Sequence, residues 1–147
     1  MLLWKSLYGT VWLAFFCSVL IPRWLGRYLG IPLHIILGLL LMVLTGSNAR
    51  RLAVLPVPAR LKRISKVTAG FAICQLLTGL GVQVLGYLSA GQQLFGPVMR
   101  GLHIVWSFAI LSQASSVATA YDMWEEKEFV AESTRQPADG RSSSNPC

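Results

Sequence analysis

The chain has 147 residues, of which 54% are hydrophobic and only 13% charged, with a net charge of +7. That balance is too apolar for an ordinary water-soluble domain, and the apolar residues come in long runs rather than in alternation. Within those runs the sequence offers no histidine–carboxylate pair, no glycine-rich phosphate loop and no nucleophile with an adjacent base, so no set of residues for independent catalysis is visible.

A helix needs roughly 20 apolar residues to cross the hydrocarbon core of a bilayer. Four segments supply them. The first is 6–22, "SLYGTVWLAFFCSVLIP". It follows a short region containing Lys5 but lacks a small-x-small cleavage pattern, so it is expected to be a retained helix rather than a signal peptide. The second is 30–48, beginning "GIPLHIILGLLLMVLTG", and it carries a single ionisable side chain, His34. The third is 67–89, "VTAGFAICQLLTGLGVQVLGYLS", and the fourth is 96–121, which holds the other histidine of the chain, His103. Backbone polar groups in lipid must be satisfied within the segment, so each is expected to be a helix.

All the acids lie after residue 121, at Asp122, Glu125, Glu126, Glu128, Glu132 and Asp139. Before that point only Lys and Arg occur, and Arg50, Arg51, Arg60, Lys62, Arg63 and Lys66 crowd the 49–66 loop. The positive-inside rule puts this loop in the cytoplasm. The predicted fold class is therefore an all-α integral membrane protein, a four-helix transmembrane up-down bundle with both termini cytoplasmic. The basic loop is read as a topology determinant in contact with anionic head groups, not as a nucleic-acid site. "AVLPVP" is expected to be extended by its prolines, and Gly91 with Gln92 and Gln93 to form a tight outer turn. Residues 122–147 form an acidic tail. The fourth helix is expected to continue a turn or two into it, and "STRQPADGRSSSNPC" to be disordered. Cys17, Cys74 and Cys147 show no metal or disulfide spacing and read as small apolar filler.

An isolated histidine in lipid is costly without a partner and marks a candidate functional site. Alternate helices of an up-down bundle run parallel. His34 lies about four residues into its helix and His103 about seven into its own, a depth difference of about 5 Å at the helical rise. Two imidazoles at one depth on facing helices are what bis-histidine ligation of one haem requires. Taken singly, each histidine also has a plainer reading, as a packing residue bonded to a neighbour. On the third helix Gln75, Gly79, Gln83 and Gly86 share one face, suited to close helix packing or to a flat macrocycle. Gly38 is one turn from His34, and Ser107 is one turn from His103. Arg100 is one turn outward of His103, placed to anchor the helix at the interface or to pair with a propionate. Arg23 and Arg27 lie on the same side. Ser112, Ser115, Ser116 and Thr119 read as helix contacts.

"LHIILGLLLMVLTG", "AICQLLTGLG" and "LHIVWSFAILSQA" together resemble the small four-helix haem-b membrane cytochromes. They are also similar to one four-helix half of the haem A synthases. The likeness covers roughly residues 30–116. It implies axial ligation by His34 and His103 and a single haem b, since two-haem cytochromes need four histidines and the synthases use two such halves. The resemblance thus implies a b-type cytochrome-like electron-transfer subunit with its haem between helices 2 and 4 near the outer face. Such a subunit would serve a quinone-linked oxidoreductase within a larger membrane complex, relaying electrons between a quinone and a redox partner protein in the cell membrane or an energy-transducing membrane. The alternative is a cofactor-free membrane accessory or scaffold protein. A transporter or pore fits less well, because intramembrane carboxylates and an inverted repeat are both missing.

Overall fold

The computed structural model describes residues 3–20, 26–87 and 89–135. They form four α-helices: α1 Leu3–Phe15, α2 Gly26–Val54, α3 Ala59–Tyr87 and α4 Ser89–Arg135. A π-helical turn, Phe16–Leu20, continues α1. Long apolar stretches able to cross a membrane lie in three of these helices, over Leu29–Val54, Ala59–Leu85 and Phe95–Glu128. α1 is short. Its 13 residues rise about 20 Å, against a hydrocarbon core of roughly 30 Å.

α1 packs on α2 and α4, and α3 packs on the same two, while among the described residues the diagonal pairs α1–α3 and α2–α4 make no close backbone approach. Side-chain pairings fix the directions. Ser6 near the start of α1 bonds Asn48 near the end of α2, and Thr68 of α3 bonds Gln113 of α4 while Gln75, further along α3, meets His103, earlier in α4. Adjacent helices are therefore antiparallel, and α2 and α4 run the same way.

Sequence and structure differ at the helix ends. The basic 49–66 segment is almost all helical, and only Leu55–Pro58 break it. Pro58 cannot continue α2, but its carbonyl accepts from the Leu61 and Lys62 amides at 3.0 and 3.3 Å and so opens α3. Lys62 also reaches back, donating from Nζ to the Ala53 carbonyl at 3.1 Å and capping the end of α2. Six cations are thus displayed on two helix ends rather than on a loop. The turn expected at Gly91–Gln93 is instead helical, at the start of α4. α4 continues past Tyr121 to Arg135. The disorder expected for the end of the tail falls largely on residues 136–147, which lie outside the described residues, as does Arg23.

The interior has two apolar clusters. Leu7, Leu52, Val57, Leu61, Val117, Ala118 and Tyr121 close the basic end. Ala14, Leu41, Ala72 and Ile110 form a smaller layer nearer the histidines. Between them lies a polar girdle. The Asn48 amide donates to Thr10 Oγ1 at 2.9 Å and accepts from Ser6 Oγ at 2.6 Å, and Thr45 donates to the Leu41 carbonyl at 3.0 Å. Small polar residues of this kind join helices where lipid removes the hydrophobic drive to associate. The outer surface is apolar: Trp12, Ile36, Leu77 and Phe108 are each at least 60% exposed. A water-soluble monomer rarely tolerates this, whereas lipid accommodates it.

A candidate cofactor site between the two histidines

At the end opposite the basic residues the helices enclose a cavity of about 510 Å³. His34 and Gly38 reach it from α2, Gln75, Gly79 and Gln83 from α3, and His103 and Ser107 from α4. α1 adds Ala14, and its π turn adds Cys17 and Ser18. A π turn displaces the side chains that come after it and recurs at functional sites. Here it turns Cys17 and Ser18 onto the cavity, where the Ser18 hydroxyl bonds that of Ser107.

The two imidazoles meet across the diagonal of the bundle. Their centroids are 5.8 Å apart, with the rings inclined at 60°. Both side chains are half-buried. Their surroundings differ. His103 lies against α3, with Nδ1 at 3.2 Å from the Gln75 main-chain carbonyl and 3.4 Å from Thr78 Oγ1, and Nε2 at 3.2 Å from the Gln75 amide nitrogen. No hydrogen bond to His34 is formed among the described residues, and its Nδ1 is buried without a partner. The Gln75 amide oxygen is likewise buried and unpartnered. Buried polar atoms are rarely left so, and each such exception asks for a cause.

Gly79 explains how His103 fits. A Cβ there would stand 2.9 Å from His103 Cε1, closer than carbon atoms pack. The glycine on the shared face of α3 therefore seats the imidazole of α4. Gly38 is different, because a Cβ added to it meets nothing within 4 Å. Arg100 is exposed and does not line the cavity. Gly86 belongs to the last turn of α3, and its surroundings lie outside the described residues, as does the side chain of Arg27.

A bis-histidine metal can be tested against this geometry. Metal–imidazole bonds of about 2.0–2.1 Å would put two opposed ring centres roughly 6.4 Å apart, somewhat more than the observed 5.8 Å. The cavity falls in the range of roughly 300–1,000 Å³ that suits small-molecule and cofactor sites. Among the described residues no group of three or more His, Cys, Asp or Glu side chains gathers to hold a bare ion. Residue pattern alone does not single out Gln75, which reads as one of a packing face, nor Cys17 and Ser18, whose position depends on a π turn that leaves no mark in composition. Comparison with protein families, with curated proteins and with solved structures finds no match for the chain.

Proposed function

We propose that the chain is a multi-pass membrane protein that holds one haem b between α2 and α4 and acts as an electron-transfer subunit. The observation that carries this reading is the histidine pair: the two imidazoles face each other at 5.8 Å over one cavity, and one of them lacks any partner of its own. A haem held there would carry one electron at a time. His34 and His103 would hold its iron, while Ile35, Leu76 and Ile104 in the cavity wall would exclude water from it. The Arg and Lys residues on the facing ends of α2 and α3 favour a cytoplasmic position for that end, with both termini beside it and the cavity toward the outer leaflet. A site near one face favours exchange with a quinone in the bilayer and a protein partner outside it.

The competing reading is a cofactor-free accessory protein. One observation favours it: both ring nitrogens of His103 already have partners on α3. The absorption spectrum separates the two. Protein produced with ample haem is expected to show a reduced-minus-oxidised b-type spectrum, lost in both His34→Ala and His103→Ala. Stable but colourless wild-type protein overturns the haem reading.

A further inference from the structure

Gln75 carries one of the two unpartnered atoms of the cavity and also touches a histidine: its amide nitrogen covers His103 Nε2, and its amide oxygen is buried with nothing to bond. A main-chain oxygen dictates where the protons on these groups lie. The Gln75 carbonyl can only accept, and the nearby Thr78 hydroxyl already donates to the Cys74 and Gln75 carbonyls at 2.9 and 3.0 Å, so His103 Nδ1, 3.2 Å from the Gln75 carbonyl, carries the hydrogen. In a neutral imidazole that leaves a lone pair on Nε2. Only the NH₂ side of an amide can face a lone pair, so the Gln75 nitrogen turns to Nε2 and its oxygen is forced the other way. The carbonyl thus selects the tautomer, and the tautomer selects the amide orientation, at the expense of an unpaired Oε1.

Metal-ligating histidines commonly donate the second ring N–H to a carbonyl, which fixes the ring and leaves the other nitrogen free to ligate. His103 has this arrangement, but its ligating nitrogen is covered. We propose that Gln75 guards His103: its amide holds the Nε2 lone pair in the metal-free protein and must turn aside before that nitrogen can bind iron. The proposal rests on the haem reading. The guard is weak, because one neutral bond at 3.2 Å is offset by the stranded oxygen beside it. Gln75 is a positioning residue, acting on the metal through His103.

The test uses the full chain in lipid nanodiscs and the variant Gln75→Leu, which removes the amide and keeps much of its volume, with Gln75→Ala as a second variant should Leu fail to fold. Haem titration is expected to give a dissociation constant roughly fivefold lower for the variant than for wild type, since one net hydrogen bond no longer competes. Nitrogen-15 NMR of the metal-free protein is expected to show His103 as the Nδ1–H tautomer in both proteins, with the Nε2 resonance moving toward that of an unbonded acceptor in the variant. An Nε2–H tautomer in wild type overturns the proposal. So does haem binding of equal or lower strength in the variant, which leaves the haem reading standing. Absence of haem binding in both proteins overturns the haem reading and the guarding role together.

Discussion

At the basic end the four helices close on Leu52, Leu61, Val117 and Tyr121, and Ser6, Thr10, Asn48 and Thr68 bond one another, Gln113 or the main chain. At the histidine end the same helices leave about 510 Å³ open and bury two polar atoms without partners. The same helices pass through both ends, so the contrast lies in the side chains they present and in the π turn of α1 at the cavity. Satisfied hydroxyls and amides join helices and stop there. An apolar-walled space with unsatisfied imidazole and amide atoms lowers stability unless something fills it, which is why function is sought at that end.

Core truncation breaks the comparison most strongly. Leu52 has 0% exposure and sits in the closed cluster, so Leu52→Ala is expected to lower unfolding free energy in detergent by about 2–4 kcal/mol. Ile110, nearly as buried at 1%, borders the cavity, whose open side leaves its neighbours room to relax around the deleted atoms, so Ile110→Ala should cost clearly less. Equal losses in a denaturation series would mean that the cavity end is packed as tightly as the basic end. Next in size is Gly79→Ala, whose new methyl meets the His103 ring. A cost of about 1–3 kcal/mol is expected, together with loss of the His103–Gln75 contact seen as a shifted imidazole resonance. Asn48→Ala should cost about 1–2 kcal/mol by unpairing the Ser6 hydroxyl and removing the amide's bond to Thr10, while leaving any haem spectrum unchanged. A lost spectrum in that variant would show that the two ends are coupled. The smallest effect is expected for Gly38→Ala, where nothing lies within 4 Å of the added Cβ. Better helix propensity should leave thermal stability equal or raised by up to about 1 kcal/mol.

Much of this architecture is legible from hydropathy. Apolar runs of membrane-spanning length place the cores of α2, α3 and α4, and antiparallel succession brings His34 level with His103. The helix ends are harder to read. Charge and proline suggest a loop across 49–66, yet Arg50, Arg51, Arg60 and Lys62 are compatible with helix at an interface, and only Leu55–Pro58 interrupt it. Gly91 looks like a turn because glycine usually punctuates, but lipid-exposed and interfacial helices tolerate it. Within the site, spacing places Gly79 on a shared face without showing that its occupant is an imidazole. The tautomer of His103 depends on a carbonyl from another helix, and no one-dimensional pattern records that.

The length of α4 carries a mechanical consequence. One helix without a described break bears His103 and, 22 residues later, Glu125, about 33 Å away along its axis. Beside the cavity this helix is tied to the π turn of α1 through Ser107 and Ser18. α4 thus joins the wall of the cavity to the acidic segment in one continuous element, with Val117, Ala118 and Tyr121 held in the closed cluster between them.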